Sequence, residues 1–140
     1  MASKSHQMIA GLIVRKMREK GFRIVSFDGD EALINCTPLK IPPRVGRHRP
    51  DVIGVDLKSK RICIGEAKTP QDLDSKRTKE QLRDYAYLIT DFKSRFEFII
   101  GIQKSSENKV KRILRELGIE NSKDVSYVWI PEELLENEED

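Results

Sequence analysis

The chain has 140 residues, 38% hydrophobic and 35% charged, which suits one folded domain with its own core and excludes a disordered polymer. No apolar run approaches the ~18 residues of a membrane span and no signal-peptide pattern opens the chain, so a cytoplasmic domain is expected over residues 1–131. The net charge of +3 is uneven: residues 132–140 carry six acids and no base, which leaves 26 bases against 17 acids, a net +9, on the rest. Such a body suits a polyanionic partner, although a generic lysine-rich surface explains the charge equally well.

Ile9, Leu12, Ile13 and Met17 follow the helical period and predict an amphipathic helix over 5–20, capped by Ser3 or Ser5. Gly21 suits the left-handed position that ends it, with Phe22 packing just beyond. A strand over 22–27, a turn at Asp28-Gly29-Asp30 and a strand over 32–36 read as a hairpin. Asp28, Asp30 and Glu31 are most simply turn chemistry, although one of them could lie near a metal. Cys36 and Cys63 fall in predicted strands. Without His or Cys neighbours they read as buried thiols and form neither a zinc site nor a disulfide framework.

Pro38, Pro42 and Pro43 forbid regular structure over 37–49. Arg44, Arg47, His48 and Arg49 cluster there, just ahead of Asp51. Arginine forks onto phosphate oxygens, so this loop is a candidate nucleic-acid contact. The plainer alternative is a solvated loop whose arginines offset nearby acids. His48 could also act as a base.

The next stretch organises the chain. Residues 52–57 and 62–64 are rich in β-branched side chains and predict two strands joined by a polar turn. A two-residue turn at Ser59-Lys60 would pair Val55 with Ile64, Ile53 with Glu66 and Asp51 with Lys68. Asp51, Glu66 and Lys68 then emerge on one face at one end of the hairpin. Two carboxylates and an ammonium at such a dry end are costly without a purpose. Oxygen ligands suit a hard cation such as Mg²⁺, and a lysine beside it can orient or deprotonate water. A surface salt bridge is the ordinary reading of Glu-x-Lys alone, and Glu107-Asn108-Lys109 repeats that spacing elsewhere.

Thr69-Pro70 ends the hairpin. After a charged approach, Ser75 or Thr78 caps a helix reaching about residue 92, with Leu82, Tyr85, Ala86, Ile89 and Phe92 as its buried stripe. Gln81 and Tyr85 sit four apart on one face; Tyr85 as a core aromatic with Gln81 at the rim is the alternative. Lys76, Arg77 and Lys79 at the helix start are candidate phosphate contacts. A strand over 96–102, a helix over 107–117 closed by Gly118, and a strand over 125–130 stopped by Pro131 follow. Residues 132–140 read as an acidic tail that can begin as a helical turn and is otherwise mobile, able to shield the basic face or serve a protein partner. The order predicts an α/β fold: a mixed sheet with helices on both faces.

Pro50-Asp51, followed by Glu66-Ala67-Lys68 on the next strand, resembles the PD-(D/E)XK nuclease superfamily. Gln81-Leu82-Arg83-Asp84-Tyr85 resembles the Q-x-x-x-Y motif of its RecB-type members. The N-terminal half, with its helix ending Arg18-Glu19-Lys20-Gly21-Phe22, is similar to archaeal Holliday-junction resolvases. The likeness spans about residues 5–100.

The resemblance implies a restriction-endonuclease-like fold and a Mg²⁺-dependent DNA endonuclease, with Mn²⁺ able to substitute, that leaves 5′-phosphate and 3′-hydroxyl ends. Asp51, Glu66 and the Ala67 carbonyl would bind the metal. Lys68 would activate water, with Gln81 and Tyr85 bordering the site. Double-stranded or branched DNA is the implied partner. Junction cleavage would suit a small symmetric homodimer, whereas the RecB-type motif favours nicking or end processing.

One departure stands out. Many members carry a Glu in the first helix, and alignment on Lys20-Gly21-Phe22 puts Ala10 at that place. His6, one turn earlier on the same face, could substitute, although a capping or solvent role is its first reading. Glu19 falls on the polar face. The missing acid keeps a second reading open: a catalytically inactive nuclease-fold protein that binds DNA or acts as an accessory subunit.

Overall fold

The computed structural model describes residues 3–28 and 48–136. The predicted strand over 32–36, Cys36, Arg44, Arg47 and the last four tail residues lie outside that range. Within it, five strands form one mixed sheet in the order β1-β2-β3-β4-β5: β1 (Arg23–Phe27), β2 (Val52–Asp56), β3 (Arg61–Ala67), β4 (Phe96–Gln103) and β5 (Val125–Ile130). β1, β2 and β3 pair antiparallel; β3, β4 and β5 run parallel. No helix among the described residues is long and apolar enough to cross a membrane.

Helices cover both faces. α1 (Lys4–Glu19) packs on one, burying Ile9, Ile13 and Met17 against Val52, Cys63 and Ile99. α3 (Lys76–Asp91) and α4 (Glu107–Glu116) pack on the other, where Leu82, Tyr85, Val110 and Leu114 meet Ile64, Phe98 and Ile100. Both parallel connections therefore lie on one side of the sheet, as right-handed crossovers proceeding in one direction require. Alternation along β3 sends Cys63, Gly65 and Ala67 toward α1, and Ile64 and Glu66 toward α3.

The local signals act through ordinary capping chemistry. Ser3 accepts from the His6 N–H at 3.1 Å and starts α1. Gly21, at φ +94°, ends it, and Phe22 returns a hydrogen bond to Met17. Ser75 caps α3 through the Thr78 N–H. Residues 70–73, where the end of the hairpin and a charged approach are the only expectation, form a further short helix, α2 (Pro70–Leu73). Thr69 and Asp72 cap it reciprocally, with Pro70 at its first position. The acidic tail begins as the helical turn its sequence allows. α5 (Glu133–Glu136) seats Leu135 in the α1-side core, and Glu132 accepts from the Ser105 N–H at 2.7 Å.

The central hairpin departs from its expected register. Val55 pairs with Ile62 and Ile53 with Ile64, two residues away from the pairing a Ser59-Lys60 turn would impose. The connection is four residues long, 57–60. The Asp56 carboxylate accepts from the Lys58 N–H at 3.0 Å, and Lys60 takes a left-handed φ of 59°. Leu57 is left exposed instead of pairing. A shift of two preserves side-chain parity, so Asp51 and Glu66 keep a common face.

α1 lies unusually close to the sheet. A Cβ at Gly65 would come within 2.6 Å of Ile13 Cγ2, and one at Gly101 within 2.5 Å of Ile9 Cγ2. This contact brings the first turn of α1, with His6, to the end of the sheet where β3 finishes.

Candidate active site

Asp51 immediately precedes β2, and its N–H donates to the Gly65 carbonyl at 3.1 Å, so it stands at the end of the β2–β3 ladder. Glu66 and Ala67 end β3. Lys68 follows, its backbone tied to Gly101 of β4 at 2.9 Å. The Ala67 N–H donates to Asp51 Oδ2 at 2.8 Å. Residues 16 apart in the chain are thereby joined at one point.

α3 supplies the lid over Glu66. Tyr85 donates its hydroxyl to Glu66 Oε1 at 3.0 Å; one turn earlier, Gln81 Oε1 accepts from Lys68 Nζ at 2.5 Å. Lys68 Nζ is 3.7 Å from Glu66 Oε2. Glu66, Lys68, Gln81 and Tyr85 are all buried. Both readings of Tyr85 therefore meet in one residue: its ring packs tilted on Phe98 at 5.3 Å while its hydroxyl serves the site.

α1 supplies a residue from the opposite side of the sheet. His6 Nε2 lies 3.2 Å from Asp51 Oδ2, and its Nδ1 is buried with no hydrogen-bond partner among the described residues. The backbone N–H of His6 takes part in capping, but its side chain faces the site rather than solvent. Ala10 is buried in the α1-side core.

The electrostatics separate the two carboxyls. Burial, then the charge of Asp51, raise the Glu66 pKa well above the usual carboxylate range, against the opposing Lys68 charge and Tyr85 hydrogen bond. Burial pushes Asp51 upward too, but the His6 hydrogen bond and charge and the Ala67 N–H outweigh it and hold Asp51 low. The same hydrogen bond to Asp51 raises the His6 pKa against the effect of burial. Burial and the neighbouring Glu66 charge push Tyr85 upward, so it remains a phenol donor.

These groups open into a polar cleft of about 650 Å³. Arg49 and Arg77 line it, as do Asp28, Gln71, Asp72 and Ser75. Asp28 is brought there by a backbone hydrogen bond to Asp51 at 2.9 Å. Lys76 and Lys79 are exposed at the start of α3 but do not line the cleft. His48 departs from the expectation of a phosphate-contacting loop residue. It is only 7% exposed and its Nε2 is 2.6 Å from Asp84 Oδ2, because α3 packs over it. The sequence carries no signal that pairs it with Asp84.

Among the described residues, no cluster of three or more His, Cys, Asp or Glu side chains is arranged to enclose a metal. The donors present are two carboxylates, the Ala67 carbonyl and an imidazole at their edge. That set suits a divalent cation held by one or two carboxylates and otherwise by water and phosphate, as Mg²⁺ is. Glu66, driven toward protonation by burial and then by the Asp51 charge, fits a site whose repulsion a cation would relieve. Comparison with family models, with curated proteins and with solved structures finds no match to this chain.

Proposed function

We propose that the protein is a metal-dependent DNA endonuclease with a restriction-endonuclease-like fold, hydrolysing phosphodiester bonds in the cleft between α1, β3 and α3. The observation that carries this reading is the meeting of Asp51, just before β2, Glu66 in β3 and Lys68, just after β3, in a cleft lined by Arg49 and Arg77.

Asp51 and Glu66 would hold Mg²⁺ or Mn²⁺ with the Ala67 carbonyl, and His6 would steady Asp51 from α1. The bound cation would neutralise charge that builds on the scissile phosphate. Lys68, held by Gln81, would orient an attacking water through its ammonium N–H groups. Tyr85 keeps Glu66 directed at the cleft. Arg49 and Arg77, which line the cleft, would clamp flanking phosphates, with Lys76 and Lys79 extending the basic surface. None of these groups reads a base edge, so the reading favours cleavage by DNA structure or nicking over sequence recognition.

Incubation with supercoiled plasmid and with branched DNA, with Mg²⁺ or with EDTA, tests the proposal. Nicking that requires the metal and disappears in Asp51→Asn supports it. DNA retention without cleavage, unchanged by that substitution, identifies a binding module instead.

A further inference from the structure

We infer that His48 is a positioning residue for the Asp51–Glu66 pair, acting through its bond to Asp84; the inference rests on the metal-site reading above. His48 Nε2 lies 2.6 Å from Asp84 Oδ2. A carboxylate only accepts, so Nε2 carries the hydrogen and donates it. His48 stands three residues before Asp51, and Asp84 immediately precedes Tyr85 in α3. One hydrogen bond therefore ties the segment that leads into Asp51 to the helix residue next to the one that holds Glu66.

Two further contacts make this tie stiff. The His48 ring meets Tyr85 edge-on, with centroids 6.0 Å apart and planes at 72°, and Phe98 packs tilted on the same tyrosine at 5.3 Å. Between His48 and Asp51 lie only Arg49 and Pro50. Proline fixes its own φ and restricts the residue before it, so few soft dihedrals separate the two. A displacement of His48 is passed to Asp51 on one side and to Tyr85, hence Glu66, on the other. An imidazole kept merely for loop solubility would not be buried against a carboxylate, because burial strips its own hydration.

The test compares full-length wild type, His48→Ala and His48→Gln. The glutamine amide nitrogen can reach about where Nε2 sits, so it restores the donor without the ring. Calorimetry measures Mn²⁺ affinity, plasmid nicking measures kcat and KM, and amide exchange at Ala67 in metal-free protein measures how firmly Asp51 is held. His48→Ala is expected to lose about 10- to 100-fold in Mn²⁺ affinity and kcat, with KM for DNA little changed. Ala67 exchange should quicken on the order of tenfold. His48→Gln should recover most of each loss.

A lower melting temperature with wild-type Mn²⁺ affinity and Ala67 exchange overturns the inference. So does a raised KM at unchanged kcat, which marks a phosphate contact, or a His48→Gln as impaired as His48→Ala. If His48→Ala does not fold, His48→Leu removes the same bond with more of the volume kept. Wild type that neither binds Mn²⁺ nor nicks DNA sinks the metal reading. The Ala67 exchange still decides whether His48 holds Asp51.

Discussion

The Tyr85 hydroxyl donates to Glu66 Oε1 at 3.0 Å, and both residues are buried between α3 and β3. The donor is spent on a carboxyl that its surroundings push toward the neutral form. An acid held in this state is a stability defect in the metal-free protein, of the kind functional sites carry elsewhere in exchange for chemistry.

The pH dependence follows from that defect. The folded state binds the Glu66 proton more tightly than the unfolded chain does. The contribution of Glu66 to stability is therefore full below the ordinary glutamate pKa and is lost as pH rises through its raised one. Glu66→Gln keeps an acceptor for Tyr85 and removes the charge. In EDTA at pH 7–8 the variant should melt roughly 3–6 °C higher than wild type, with the gap closing near pH 4. Melting curves across that range check it, and nicking should be abolished at every pH.

Lys68 separates binding from chemistry. Its ammonium is anchored on Gln81 and stands 3.7 Å from Glu66, beside the proposed ligands rather than among them. Lys68→Met should leave Mn²⁺ affinity within a few-fold of wild type while nicking falls by about 10²-fold or more. Calorimetry and single-turnover cleavage on the same preparation measure the two effects.

The close seat of α1 has its own consequence. An added methyl at Gly101 would meet Ile9 and Ile13, which are held in the core and have little room to retreat. Gly101→Ala should destabilise the protein by about 1–3 kcal/mol. It should also weaken activity per folded molecule by lifting His6 away from Asp51. Urea unfolding and cleavage assays at matched folded fraction check this.

Arg77 lines the cleft at the start of α3. Arg77→Ala should weaken DNA retention about uniformly across sequences and reduce the slope of log affinity against log salt by about 1. A salt titration of retention on two unrelated duplexes measures it.

Much of this arrangement is legible in the residues themselves. Helical periods locate α1, α3 and α4, and the β-branched runs locate β2 to β5. Alternation along the hairpin puts Asp51 and Glu66 on a common face even though the turn chemistry misleads. Asp56 captures the Lys58 N–H and lengthens the turn, so the register moves by two and parity survives. Thr69-Pro70-Gln71-Asp72 carries a capping signature that fully accounts for α2. His6 and His48 are different. Each acquires its role from a partner on another element, Asp51 and Asp84, and that pairing depends on how α1 and α3 sit on the sheet. No local spacing encodes it.

Binding of Mn²⁺ to the purified protein, followed by electron paramagnetic resonance, tests the central claim most directly. Wild type should show saturable binding that Mg²⁺ displaces, and both Asp51→Asn and Glu66→Gln should weaken it by at least about tenfold. Mn²⁺ binding of equal strength in wild type and both variants would contradict the account, as would no saturable binding in wild type.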